Sequence, residues 1–277
     1  PGLQVVDEPG PLEEPHGTIV AGLVAGGERG EGEGLGTGVA PGARIIGVRI
    51  TGNPEDGEDE GLDLDGDFTP EDLVTALRWV ADNAGPRGID VLNLSLTADP
   101  SRALRDAVRD VQDAGVIVVA ATGNRSPDEE LPEDEPLPGP YTTYPAAYPG
   151  VIGVSAYVPF NPEDPLGAAR YVLNTTDADV AVPVLGGASV VPNGSTCVVD
   201  SIATSWATPY VSGIVALLLG TTAFLVATGL VMVLSASSVS AFADYGDSFM
   251  FVQRQAVYAV IGVLALVVTS RMRYEVW

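Results

Sequence analysis

Three short stretches of the sequence hold residue types able to work on an acyl group. The first is His16-Gly17-Thr18, and His16 is the only histidine in 277 residues. The second is Val118-Val119-Ala120-Ala121-Thr122-Gly123-Asn124, where a side-chain amide lies just beyond an apolar run patterned as a buried strand. The third, Ala203-Thr204-Ser205-Trp206-Ala207-Thr208-Pro209, leads into an apolar helix expected to begin near Tyr210, with Ser205 as a capping serine ahead of it. A serine hydroxyl is a weak nucleophile until a neutral imidazole takes its proton. The tetrahedral intermediate that follows puts negative charge on oxygen. A side-chain amide and a backbone N–H at a helix start can both stabilise that charge. Taken singly, Ser205 reads equally as a plain N-cap, Asn124 as a turn residue and His16 as a surface side chain. Together they are the parts of an acyl-transfer site.

Residues 1–216 alternate between helical and strand patterns, the signature of a parallel α/β sheet with flanking helices. The run HGTIVAGLVA from His16 spaces its apolar residues for a helix, and ARIIGVRI (43–50) reads as a strand. Thr69-Pro70-Glu71-Asp72 has the form of a helix start, with Thr as N-cap, Pro at the first position and acids in the first turn. That helix is expected to reach about Asn83, and 88–94 reads as the next strand. Asp99-Pro100 opens a further helix to Ala114, followed by a buried strand at 116–121.

The charge is lopsided. All 13 basic residues are Arg, there are 37 acids, and the formal charge is −24. Residues 217–277 sum to zero, so the first 216 residues hold all of it. A domain this acidic repels phosphate backbones, which excludes nucleic acid as an expected partner. The single Cys197 excludes an internal disulfide and a cysteine-cluster metal site. Eight acids fall in 55–67 and six in 128–135, each read as a solvated surface loop. Asp63, Asp65 and Asp67 alternate as calcium ligands would, but the EF-hand test fails: Phe68 stands where that loop needs Gly, and Val74 where it needs Glu. No metal or cofactor is expected beyond that weak calcium signal.

Hydrophobicity divides the chain at about residue 216. Residues 211–243 contain no charge, ample for one membrane span plus a preceding buried helix. A second uncharged run, 255–270, lies at the short end of the spanning range; it reads either as a span or as a buried core helix. The expected localisation is the cell membrane. The chain begins at Pro1 with no initiator Met, basic n-region or apolar h-region, so no signal peptide is read and sequence upstream is expected.

The order HGT, then VVAATGN, then TSWATPYVSG resembles the subtilisin-like serine protease family, with supporting matches in GVAPGARIIGVRI (38–50), IDVLNLSL (89–96) and YPAAYPGVIGVSA (144–156). The resemblance covers nearly all of 1–216 and, through Pro209-Tyr210-Val211-Ser212-Gly213, points to the mycosin branch linked to type VII secretion. It implies that His16 is the general base, Ser205 the nucleophile, and Asn124 the oxyanion donor together with the Ser205 amide. It implies that Leu94-Ser95-Leu96 forms an edge along which a peptide substrate lies as an added strand. The family's third catalytic member is an aspartate on a first strand, tens of residues before the histidine. Asp7 is too close to His16 for that connection and is read as a loop residue, which places the true aspartate upstream of Pro1. Impaired activity and an unpaired sheet edge are therefore expected. Ala203 also stands where the family has Gly.

Residues 217–277 are similar to something else. Gly229–Ser238 (GLVMVLSASS), Asp247-Ser248-Phe249 and Arg254-Gln255 resemble the first two membrane spans of the SEDS peptidoglycan polymerases, in their cell-division branch. The aspartate that family uses for glycosyl transfer lies in a later loop, so polymerase activity is not expected. The two resemblances imply opposite topologies. Arg271 and Arg273 after the second run place the C-terminus in the cytoplasm by the positive-inside rule, and two crossings return 1–210 to the same side. An ALLLG-like stretch near 216–220 is common to both families and is the expected point of joining, as a fused or misassembled reading frame rather than a working fusion. Three functions follow as expectations: a serine endopeptidase acting on peptide or protein substrates, a non-catalytic peptide binder or fragment, and a membrane component of secretion or division machinery.

Overall fold

The strand Ile117–Ala121 shows how the sheet is built. Val118 and Ala120 face one apolar cluster and Val119 faces another, the period-two alternation of a strand covered on both sides. The structure, a computed structural model, describes residues 4–6, 15–26, 37–50, 68–125, 139–157, 172–184, 187–190, 196–199 and 203–270. The chain divides into two compact units, Pro1–Ala216 and Leu217–Trp277.

In the first unit the described elements are β1 (Gln4–Val6), α1 (Pro15–Ala25), β2 (Gly47–Arg49), α2 (Pro70–Arg87), β3 (Val91–Leu94), α3 (Arg102–Asp113), β4 (Ile117–Ala121), β5 (Ile152–Tyr157), β6 (Val180–Pro183), β7 (Gly187–Val190) and β8 (Thr196–Val199). The central sheet is parallel throughout, in the order β3-β4-β5-β6, with Leu94 opposite Ala120 and Ala121 opposite Val154. β3 and β6 are its outer strands among the described residues. β1–β2 and β7–β8 form two separate antiparallel pairs.

One face of the sheet is covered by α2 and α3, through Leu73, Leu77, Leu104, Val108 and Val111. Onto the other face packs the start of α4 (Thr204–Tyr245), through Ala207 and Val211 against Val119, Val154 and Val172. The result is a three-layer α/β/α arrangement, with Asn124 just past the end of β4 and Ser95 just past the end of β3.

Local chemistry sets the element ends. The Thr69 hydroxyl accepts from Asp72 N at 3.2 Å and the Asp72 carboxylate accepts from Thr69 N at 3.1 Å, a reciprocal capping box with Pro70 at the first helical position. The Thr69 hydroxyl also donates to Asp72 at 2.5 Å, and these bonds hold the Asp72 carboxyl below its usual range. α2 runs on through Pro86 to Arg87, past the expected Asn83, and Gly88 closes it in the left-handed region at φ 64°. α3 starts later than Asp99-Pro100 suggests. Ser101 is extended and its hydroxyl accepts from Leu104 N at 3.0 Å, which makes it the cap and leaves Asp99 and Pro100 outside the helix. The expected strand over 43–50 is confined to Gly47–Arg49, and that over 88–94 to Val91–Leu94.

The largest correction concerns α4. It begins at Thr204, six residues before the expected start, and Ser205 lies inside its first turn instead of capping it. The first turn tolerates this because helix-start N–H groups have no intrahelical acceptor in any case.

In the second unit α4 continues to Tyr245, and α5 (Met250–Ser270) follows a turn built on Gly246, at φ 74°, and Asp247, whose carboxylate accepts from Phe249 N at 2.8 Å. Leu218, Phe224, Leu225, Val231 and Met232 are all exposed. Thr204–Ser238 is long and apolar enough to cross a membrane, whereas the apolar part of α5, Met250–Ala265, is shorter. From 217 to 238 the helix is about 33 Å long, close to the roughly 30 Å of a bilayer's hydrocarbon core.

Leu77 is 1% exposed between α2, α3 and the sheet. Leu77→Ala is expected to destabilise the first unit by about 2–5 kcal/mol through lost burial and the cavity left behind. The measure is the denaturation midpoint at unchanged slope.

Candidate active site

The three consecutive residues at the start of α4 each hold one of the residues singled out in the sequence. Thr204 holds Asn124, Ser205 holds Ser95, and Trp206 holds His16.

Asn124 follows β4 after a bend at Gly123, which lies at φ 93°; a side chain there would also press on Leu173 and Thr97 at 3.1 and 3.2 Å. Its backbone bridges Val172, and the preceding Thr122 is fully buried, donating through both N and Oγ1 to the Val154 carbonyl. The Asn124 amide oxygen accepts from Thr204 N at 2.8 Å and from Thr204 Oγ1 at 3.0 Å. A backbone N–H can only donate, so the amide is fixed with its oxygen inward. Its Nδ2 is thereby the end left to donate, on a residue that is exposed.

Ser205 is half-buried and makes a reciprocal pair with Ser95, just past the carboxyl end of β3. Its hydroxyl donates to the Ser95 carbonyl at 3.2 Å, and the Ser95 hydroxyl donates to the Ser205 carbonyl at 2.9 Å. The N–H groups on either side of Ser205 are committed: Thr204 N to Asn124, and Trp206 N to the Ala203 carbonyl at 3.1 Å. The Ser205 N–H belongs to the first helical turn, where donors point out along the axis with the positive end of the helix dipole.

His16 is the second residue of α1 and is half-buried. Its ring lies 5.1 Å from the Trp206 ring, centroid to centroid, inclined at 42°. Leu94 is buried at the end of β3, paired with Ala120, and Leu96 packs against the cluster formed with α2 and α3. The chain is next held at Ala98, whose N–H donates to the Tyr144 carbonyl at 2.8 Å, so 95–97 lies between the strand end and that bridge.

Asp7, Asp63, Asp65, Asp67 and 128–135 lie outside the described residues, and with them the loop and calcium expectations. Among the described residues no group of three His, Cys, Asp or Glu could hold a metal ion.

Sequence reasoning missed several residues around this cluster. Thr204 orients Asn124, Trp206 meets His16, and Asn93 and Ser212 join the polar contacts behind Ser95. A signal for part of this was present. Thr204, Thr208 and Ser212 recur every four residues on an otherwise apolar helix, and all three are buried. Asn93 likewise interrupts an apolar strand.

A parallel sheet between two helical layers, with the amide, a strand-end serine and the histidine gathered on Thr204-Ser205-Trp206 at the start of one helix, is the arrangement of a subtilisin-type fold. The Subtilase family matches residues 6–227, and the chain belongs to it. Subtilisin DY of Bacillus licheniformis is 29% identical over 85% of this chain and 73% of its own length. Subtilisin E of Bacillus subtilis strain 168 is 30% identical over 74% of this chain and 45% of its own. Among solved structures, a cold adapted subtilisin-like serine proteinase superposes with a TM-score of 0.55 at 26% identity, covering 76% of this chain and 62% of that one. The chain spans between 18% and 73% of the length of such relatives. A second family, described as Cell cycle protein, matches 215–277, so the two matches overlap at 215–227.

Since His16 is the only histidine, its ring protons give unambiguous NMR resonances. Trp206→Leu is expected to shift them by removing the indole ring current. Unmoved resonances would show that the two rings are not in contact.

Proposed function

We propose that the first unit is a serine endopeptidase that hydrolyses peptide bonds through an acyl-enzyme on Ser205. The observation that carries this is the convergence on Thr204-Ser205-Trp206 of Asn124, Ser95 and His16, residues from three separate elements.

In this reading a peptide lies along 94–96 as an added strand, with Leu94-Ser95-Leu96 offering backbone groups beside Ser205. Rotation of the Ser205 hydroxyl away from the Ser95 carbonyl turns it toward the substrate, and His16 takes its proton as Oγ attacks the scissile carbon. The carbonyl oxygen becomes an oxyanion held by Asn124 Nδ2–H and the Ser205 N–H. The C–N bond then breaks, the amine leaves with the proton held by His16, and water returns through the same base to release the acid. The sequence of steps needs no metal or cofactor. Where no carboxylate orients His16 the rate is reduced, by about 3 × 10⁴ in turnover for subtilisin itself, so slow catalysis is expected unless an aspartate is supplied from outside the described residues. The mycosin-like, secretion-linked assignment rests on 209–213 alone.

For the second unit the reading is a membrane anchor, supported by the exposed apolar length of α4 and by the Cell cycle protein match over 215–277. A division-related partner fits that match.

A fluorophosphonate probe is expected to label the folded chain at Ser205 and to fail on Ser205→Ala; a cooperatively folded chain that takes no label would reject the peptidase. In subtilisin the loss of the oxyanion amide costs about 10²–10³ in turnover, and Asn124→Leu is expected to slow acylation by a similar factor at little change in peptide affinity. Replacing both Leu225 and Met232 by Arg is expected to release the chain from membranes washed at alkaline pH. Full retention of that variant would remove the spanning assignment.

A further inference from the structure

Pro209 lies in the second turn of α4 and has no N–H, so the Ser205 carbonyl, four residues earlier, loses the donor a helix normally provides. That carbonyl is not left empty. The Ser95 hydroxyl donates to it at 2.9 Å, from another element 110 residues away in sequence. Ser95 is in turn held from behind. Asn93 Nδ2 donates to the Ser95 oxygen at 3.0 Å, and the Ser212 hydroxyl donates to Asn93 Oδ1 at 2.8 Å. Ser212 is 3% exposed, and Asn93 is partly buried in β3.

Proton counting gives this chain a direction. Each hydroxyl has one proton. Ser95 spends its proton on Ser205, so its oxygen must accept, and only the NH₂ end of Asn93 can donate to it. The oxygen end of Asn93 then faces Ser212, which is the acceptor that the Ser212 hydroxyl reaches at its shorter distance, against 3.1 Å to the Thr208 carbonyl. The order Ser212 to Asn93 to Ser95 to the Ser205 carbonyl is therefore self-consistent with no group asked to donate twice. Ser205 and Ser212 stand seven residues apart, two turns on one face of α4. Asn93 thus brackets the helix start against the end of β3 at two heights.

We propose that Asn93 is a positioning residue for Ser205: acting through Ser95, it supplies the hydrogen bond that Pro209 removes, and so fixes the turn on which the nucleophile rides. The inference rests on the peptidase reading of Ser205. Without Asn93 the Ser95 hydroxyl is free to rotate, the Ser205 carbonyl has no fixed donor, and the hydroxyl loses its alignment toward His16 and the substrate.

The test is the saturating rate of fluorophosphonate acylation of the full chain, measured well below the melting midpoint of each variant. Asn93→Ala and Ser95→Ala are each expected to slow it about fivefold to tenfold, the scale of one buried hydrogen bond, with the half-saturating probe concentration unchanged. The double variant should be no slower than either single one, because one acts through the other. Asn93→Asp keeps the shape and the acceptor for Ser212 but draws the Ser95 proton to the new carboxylate, so it too should be slow even where Asn93→Ala folds poorly. Pro209→Ala restores a helical donor to the Ser205 carbonyl and should recover most of the rate lost in Asn93→Ala, which a merely structural role would not allow. A parent chain that labels, with Asn93→Ala and Asn93→Asp labelling at the same rate, overturns the positioning role alone; multiplicative effects in the double variant or no recovery with Pro209→Ala do the same. A folded parent that does not label overturns the peptidase and this role with it.

Discussion

A proline inside a helix leaves a carbonyl without its donor, and the first unit is organised around the group that replaces it. Pro209 frees the Ser205 carbonyl, Ser95 fills the vacancy, and the Ser205 hydroxyl returns a bond to the Ser95 carbonyl. Two hydrogen bonds of opposite sense between the same residues allow neither sliding nor rotation of one backbone past the other. Buried polar groups cost free energy unless they are satisfied, so the pair specifies one docking of α4 on the strand ends and penalises the rest.

That docking joins the sheet to the chemistry. β4 sends Val118 and Ala120 to one face and Val119 to the other, so it is buried on both sides and its end is a fixed point. Gly123 turns the chain out of the strand, and Asn124 meets α4 there with its amide oxygen already committed to Thr204. The first turn of α4 sits with Ala207 and Val211 in the same apolar cluster as Val119 and Val154. The polar contacts choose the register of the helix, while the apolar ones supply most of the free energy that keeps it there.

Much of this was legible in the sequence, and the misses have physical causes. The helix start at Thr69-Pro70 and the buried strand before Asn124 could be read because local rules of capping and periodicity decide them. The start of α4 could not. Pro209 argues against helix ahead of it, in keeping with the expected start near Tyr210, yet the carbonyl it orphans is rescued by Ser95, a contact that no local window contains. Ser101 displaced Asp99-Pro100 as the cap of α3 because its hydroxyl reaches Leu104 N, a competition between two plausible caps that only geometry resolves. The candidate site was legible as three residue types in order. The residues that aim them, Thr204, Asn93 and Ser212, act through donor and acceptor directions, and sequence spacing says nothing of those.

The other end of α1 constrains His16 from a distance. At its C-terminus Gly38, Val39 and Ala40 donate to the Gly26, Leu23 and Val24 carbonyls at 2.7, 3.1 and 2.7 Å. Even a methyl group on Gly38 would collide with backbone atoms of Gly22, Ala25 and Gly26. α1 is thus a stiff rod of 11 residues gripped at its tail, with the imidazole about 15 Å away near its tip. The rod is braced at both ends, by the 38–40 segment at its tail and by Trp206 against the imidazole near its tip. Crowding at residue 38 therefore reaches the imidazole through the helix, although nothing near the ring has been altered.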